Sequence, residues 1–172
     1  TALSGGEYAD KKLSDSLKGH IFATTEISAE KVRANESFII TVKLYSDWTN
    51  VDDIKLIKPQ LNYLITSEFI RGKPEIKILN GIKFIILTYT AKAYSPVTGT
   101  DHITKSGFSL SLKRASGDSK LLNNNTDFYD MLLKNSRTVT LKIYSPDVKI
   151  KIFPASAPGR RKRRTGKKWP RA

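Results

Sequence analysis

Short stretches in which every second residue is apolar are the feature that most constrains the fold of this chain. Four of them are clear: 38–44, 108–112, 139–143 and 148–152. Side chains two positions apart in an extended strand point to the same face of a sheet, so each stretch has one apolar and one polar face. The sequence therefore predicts antiparallel strands that are each buried on one side.

A β-hairpin is indicated where Asn80-Gly81 separates Ile76 and Ile78 from the apolar run 82–89. Asn-Gly is the strongest short hairpin signal because both residues tolerate the positive φ angles of a type I′ turn. The second arm continues to Tyr94 and is apolar on both faces, which predicts a central strand.

The spacing of strands and turns predicts an all-β, immunoglobulin-like antiparallel β-sandwich of about seven to eight strands, spanning about 20–153. Turn signals recur every 8–12 residues, and no pair of strands is separated by a convincing crossover helix. We expect its core to contain eight large side chains. They are Phe38, Ile40, Val42, Ile86, Tyr89, Leu110, Leu141 and Ile143.

Three segments between these strands receive more specific predictions. Residues 46–53 read as a turn-rich loop with an exposed Trp48, and 61–70 read as a strand. An Asn-rich insertion at 115–136 becomes amphipathic at its end, and Asp127 is a suitable N-cap, so a short helix is expected near 127–134; a loop is the alternative. The chain is thus divided into an N-terminal extension (1–19), a sandwich domain (20–154) and a basic disordered tail (155–172).

The tail carries most of the charge of the chain. The net charge is +14, and residues 154–172 contain eight cations and no acid, so the rest of the chain is only about +6. Dense like charge with Gly and Pro predicts disorder and contact with polyanions, either nucleic acid or anionic lipid. The predicted polyanion-binding residues are Arg160, Arg161, Lys162, Arg163, Arg164, Lys167, Lys168, Trp169 and Arg171.

Catalytic chemistry finds little support in the sequence. Cysteine is absent, and His20 and His102 stand outside metal-binding spacings. The acidic pairs Asp52-Asp53 and Asp127/Asp130 lie in turn or helix-start contexts that favour acids structurally. We therefore expect no enzymatic activity, cofactor, metal or small-molecule substrate.

Four motifs occur in a fixed order along the chain: the stretch 23–45 with Asn35-Glu36-Ser37-Phe38, the Asn80-Gly81 turn with its following strand, the segment 89–103, and the closing strand 145–154. Together they resemble the BatD family of oxygen-tolerance proteins. This resemblance covers about residues 20–155. It implies a non-catalytic immunoglobulin-like domain on the outer face of a bacterial inner membrane, with von Willebrand A-type partners.

Two functional hypotheses follow. The first is a non-enzymatic protein-interaction module, periplasmic or membrane-associated, because sandwiches of this type bind through loops and edges. The alternative is a nucleic-acid-associated structural protein of a virion or ribonucleoprotein particle, binding through its basic arm. A membrane flank or a vector-derived extension would also account for the tail.

Overall fold

The computed structural model describes residues 19–48, 51–113 and 138–155. Within these ranges the chain is all-β, with a sandwich-like arrangement of curled sheets. The helix expected near 127–134 lies outside the described residues, as do residues 156–172 of the basic tail. The strands are β1 (Ile21–Ile27), β2 (Lys31–Arg33), β3 (Phe38–Ser46), β4 (Val51–Ile57), β5 (Ile65–Thr66), β6 (Ile70–Arg71), β7 (Glu75–Leu79), β8 (Ile82–Tyr94), β9 (Gly99–Ile103), β10 (Gly107–Lys113), β11 (Thr138–Tyr144) and β12 (Val148–Phe153).

The first sheet is organised around β8, as the two-sided apolar pattern of that strand predicted. One edge of β8 pairs with β3, which pairs in turn with β1. The other edge pairs successively with β7, β6 and β5, so this side of the sheet is an interrupted strand. Asn80 and Gly81 both have positive φ and close the tight β7–β8 hairpin, which confirms the predicted turn.

The opposite layer is built on a long two-stranded ribbon. β10 pairs with β11 and β9 pairs with β12, and the register is the same on both sides of the break: Gly107 lies opposite Tyr144, and Ile103 opposite Val148. β4 adds to β10 at one end of the ribbon, and β2 adds to β12, in parallel, at the other. A Cβ atom at position 107 would collide with the backbone of Ile143, so glycine permits the close approach there.

The main core lies between the first sheet and the ribbon. It contains apolar side chains from β1, β3 and β8 on one side and from β9 to β12 on the other. Seven of the eight predicted core residues are buried, and Tyr89 is half-buried against the core, with its ring 5.5 Å from that of Phe108. Period-two alternation therefore identified the inner faces of β3, β10 and β11 correctly, whereas Ile86 is buried on the other face of β8.

A second, smaller apolar cluster lies on the outer face of the first sheet. Phe22 and Tyr45 stack with ring centroids 4.7 Å apart, and Phe84 meets Phe22 edge-on at 5.6 Å. Ile86 belongs to this cluster and not to the main core, because successive residues of β8 point to opposite faces. β8 therefore supports apolar packing on both of its faces.

The prediction of an exposed Trp48 in a loop over 46–53 is wrong. The Trp48 side chain is 1% exposed, and β4 already begins at Val51. The Ser46 hydroxyl accepts from the Trp48 N–H at 3.1 Å and donates to the Trp48 carbonyl at 2.8 Å. These two bonds fix the backbone of Trp48 at the end of β3, and its indole packs into the main core.

The predicted strand over 61–70 is also largely wrong. Within that range only Ile65, Thr66 and Ile70 belong to ladder pairs with β8. The backbone N–H groups of residues 62–64 instead donate to the buried carboxylate of Asp101, and groups used in this way are not available to a neighbouring strand.

Replacing Ile86 by alanine tests the outer cluster. Ile86 is almost fully buried, so its removal leaves a cavity, and the free energy of unfolding should fall by about 2–5 kcal/mol. The matched control is Ile78→Ala in the paired strand β7, where the side chain is 64% exposed and the change should be much smaller. Urea unfolding of both variants measures the difference; equal decreases would contradict the burial described for Ile86.

Candidate interaction surface

The nine residues predicted to bind polyanions all lie outside the described residues. The described chain ends at residue 155, directly after β12. On the strands themselves two kinds of feature could serve a function: buried polar groups, which can carry chemistry, and exposed apolar side chains, which can bind a partner.

Asp101 is the most buried carboxylate with a set of well-defined partners. It accepts from the N–H groups of Tyr63 (2.8 Å), Leu64 (3.0 Å) and Asn62 (3.3 Å), and from that of His102 (2.7 Å). The four backbone donors satisfy the hydrogen-bonding capacity of this buried group. Asp101 thus fixes the connection between β4 and β5 against β9, which is a structural role.

Three hydroxyl groups meet where the ribbon is interrupted. The Ser106 Oγ lies 2.7 Å from the Thr25 Oγ1 and 3.0 Å from the Ser145 Oγ, and the Thr25 and Ser145 hydroxyls also contact each other. Among the described residues, no histidine, lysine or carboxylate is hydrogen-bonded to these hydroxyls. The cluster links β1 to the ribbon.

The described part of the chain also lacks the usual signs of a metal or membrane-spanning site. It holds no group of three or more histidine or acidic side chains placed to ligate a cation. His20 instead contacts Asp47, with Nδ1 and Oδ2 2.6 Å apart. Within the same ranges, no helix has the length and apolar character needed to cross a membrane.

The interrupted edge of the first sheet carries an unusual number of exposed apolar side chains. Ile70, Ile76 and Ile78 are each more than 60% exposed. Of the nine large hydrophobic residues exposed in the described ranges, five lie between positions 63 and 78. We call these five the apolar edge: Tyr63, Ile65, Ile70, Ile76 and Ile78.

The register of β7 explains why two of these isoleucines remain uncovered. Ile76 pairs with Ile85 and Ile78 with Lys83, on the side of β8 that faces the opposite layer. The end strand of that layer, β4, has its own register shift opposite Ser109–Ser111, and Asp53 there has a φ of 51°. Such a bulge bends the strand locally. The face of β7 that would otherwise continue the core is therefore open to solvent.

An apolar cavity of about 250 Å³ lies beside the apolar edge. Its lining includes Leu44 and Leu87 from the first sheet and Trp48 from the connection that leads to β4. Arg71 and Pro74 extend the lining to the surface next to β7. The cavity is larger than the roughly 150 Å³ that accommodates a benzene ring in an engineered core, so it can take an apolar side chain.

The charged side chains of β7 lie on the face opposite that of Ile76 and Ile78. Glu75 and Lys77 form an ion pair of 3.7 Å with each other, and each is more than half exposed. Exposed edges are normally protected by charges, proline or bulges, and here Pro74 stands just before β7 while β7 itself alternates apolar and charged residues. The edge amides of β7 that do not face β8 remain available for pairing.

Comparison of the chain with protein-family models, with curated proteins and with solved structures finds no match. Function must therefore be inferred from the geometry of the described residues. The sequence placed Ile76 and Ile78 correctly in a hairpin arm, but their exposure was not predicted. The available signal was the sequence Glu-Ile-Lys-Ile, which reads equally well as a half-buried strand.

Replacing Asp101 tests whether this buried carboxylate is structural. Asp101→Ala leaves the N–H groups of residues 62–64 without their acceptor, and the free energy of unfolding should fall by about 3 kcal/mol. Asp101→Asn keeps one acceptor oxygen and should cost less. The exposed Glu75→Ala is the control and should have almost no effect. Urea unfolding measures all three; an Asp101→Ala variant as stable as the control would contradict the role assigned to Asp101.

Proposed function

We propose that the chain is a non-enzymatic protein-interaction module with an immunoglobulin-like fold, which binds an extended segment of a partner protein along the apolar edge. The observation that carries this proposal is the concentration of exposed isoleucines on the interrupted edge β5–β6–β7. Ile76 and Ile78 lie on the face of this edge that is turned toward the opposite layer, whereas Ile65 and Ile70 lie on the other face. Exposed apolar side chains concentrated on a folded domain are typical of interaction sites.

The strand order supports the immunoglobulin-like assignment. An immunoglobulin constant-type sandwich places its first, second, fifth and fourth strands in one sheet and its third, sixth and seventh in the other. The first sheet here runs β1-β3-β8 and then the interrupted edge, while β4, β9–β10 and β11–β12 form the opposite layer. The two orders agree when each interrupted strand is counted once and β2 is treated as a short addition beside the last strand.

Strand addition is the binding mode that fits this edge. An extended peptide that pairs with β7 gains main-chain hydrogen bonds, and its alternate side chains select the sequence. Side chains on one face of the added strand would pack on Ile76 and Ile78, next to the cavity lined by Trp48. An apolar residue of the partner, anchored in that cavity, would supply the central contact that tight interfaces require.

The resemblance to the BatD family supports a setting for this interaction. It points to an extracytoplasmic domain of a membrane-associated bacterial complex, and to a von Willebrand A-type partner. Such a partner is itself a folded domain, so the segment that adds to β7 would be an edge strand or an extended loop.

Photo-crosslinking tests the apolar edge. A photoreactive amino acid at position 78 should give one discrete adduct in cells that produce the protein, while the same group at the exposed Thr140 of β11 should give none. Adding Ile70→Lys and Ile76→Lys should abolish the adduct at position 78, because two charges on the edge oppose strand addition. An adduct that survives the lysines, or equal adducts from both positions, would contradict the proposal.

A second function is favoured by one specific observation, the eight cations and absence of acids in residues 154–172. A polycationic arm of this kind binds nucleic acid by releasing counterions, without base specificity. Trp169 adds a side chain that can stack on a base. The chain would then be a nucleic-acid-associated structural protein, with the sandwich as its folded body.

A salt titration of duplex DNA binding tests the tail. If most of the eight cations engage phosphates, the slope of log affinity against log salt should be about −5 to −7. A chain ending at Pro158 should show only a small part of that slope, while its melting temperature stays nearly unchanged. Salt-insensitive binding would contradict the tail hypothesis, and a marked fall in melting temperature would show that the tail packs on the sandwich.

A further inference from the structure

The register of three short strands assembles a positively charged surface from residues that are far apart in sequence. Lys151 of β12 lies beside Lys31 of β2, and Phe153 lies beside Arg33. On the other side of β12, Lys149 pairs with His102 of β9. We call these six residues the basic stripe: Lys31, Arg33, His102, Lys149, Lys151 and Phe153.

All six side chains point to solvent on the same face of the sheet. In β12, Ile150 and Ile152 are buried, while Lys149, Lys151 and Phe153 are exposed. In β2, Val32 is buried between two exposed cations. None of the four lysine and arginine side chains makes an ion pair with a described residue. The charge of the stripe is therefore not neutralised by the strands around it.

We propose that the basic stripe binds single-stranded nucleic acid, with its cations on the phosphates and Phe153 stacked on a base. Cations two residues apart on β12 are about 7 Å apart, and the neighbouring strand adds another row about 5 Å away, so phosphates can be met in sequence along a flexible backbone. Sequence-independent binders of single strands combine a positive track of this kind with exposed aromatic rings, and Phe153 is 45% exposed.

The shape of the surface favours a linear polyanion over a membrane plane. The stripe is only three strands wide, and Glu30 and Asp147, both exposed, stand at the ends of the connections that lead into β2 and β12. A flat array of anionic headgroups would meet these acids together with the lysines. A single strand can follow the row of cations and avoid them.

The stripe also leads directly into the basic tail. Phe153 is the last residue of β12, and the Arg33 Nη1 donates to the carbonyl of Pro154 at 3.4 Å. In the sequence, the first cation of the tail, Arg160, follows Phe153 by seven residues. The stripe adds a folded part to the second function proposed above, on which its role rests, and it does not involve the apolar edge, which lies on the other layer.

The experiment compares two full-length variants in which the same number of charges is removed. In one, Lys31, Lys149 and Lys151 are changed to glutamine; in the control, the exposed Lys58, Lys73 and Lys92 are changed instead. Binding of a fluorescent oligothymidylate of about 15 nucleotides, a length within the range that single domains cover, is titrated with salt. Melting temperatures verify that both variants fold.

Each single-strand phosphate that a lysine neutralises adds roughly 0.7 to the magnitude of the log–log salt slope. Removing three lysines should therefore lower that magnitude by about 2 in the stripe variant. The control should keep the slope of the unchanged protein. Phe153→Ala should weaken binding by about 5- to 100-fold with the slope unchanged, because stacking does not release counterions.

Three outcomes would overturn the proposal while leaving the second function intact. Equal decreases in the two lysine variants would show that only net charge matters. An unchanged affinity of Phe153→Ala would remove the stacking interaction. Weaker binding of phosphatidylserine vesicles by the stripe variant, with oligothymidylate binding unaffected, would assign the stripe to a membrane surface instead. If the unchanged protein fails to bind oligothymidylate at low salt, the stripe proposal and the second function both fail.

Discussion

The ladder between β9–β10 and β11–β12 is the constraint on which the rest of the fold depends. Its inner side chains supply one wall of the core, its two ends hold β4 and β2, and its interruption holds the hydroxyl groups that bind β1. Because side chains alternate between faces, a slip of one residue in this register would expose Leu110 and Leu141 and bury polar neighbours. One pairing thereby fixes which residues of two strands face the core and which face solvent.

How much the sequence could predict depended on whether a segment's partners were local or distant. The β7–β8 hairpin and the inner faces of β3, β10 and β11 followed from alternation and from Asn80-Gly81, which are local signals. Residues 62–64 were misjudged because their position depends on Asp101, a distant carboxylate with no sequence signature. The burial of Trp48 was missed because its indole packs into a core that distant strands supply. The strands β2 and β4 were not predicted because their sequences contain few apolar residues in alternation.

The two proposed surfaces also differ in how far they were visible in the sequence. The apolar edge is contained in residues 63–78, and only the exposure of its side chains required the structure. The basic stripe joins residues 31–33, 102 and 149–153 through two ladders, one of them parallel. In the sequence these residues are far apart, and no local pattern predicts that Lys31 and Lys151 are neighbours. The two surfaces lie on different layers, so both could be occupied at once.

The parallel pairing of β2 with β12 has a mechanical consequence. β2 lies near the start of the described chain and β12 at its end, and three residues of each are in register. β1 precedes β2 and pairs with β3, so tension applied between the two ends of the domain first loads the β1–β3 ladder. Once that tension reaches β2, it pulls two parallel neighbours in opposite directions along their length. The hydrogen bonds that join them are then strained together and not one after another, as they would be when a hairpin is opened from its end. A ladder of only three residue pairs is thereby positioned to resist stretching.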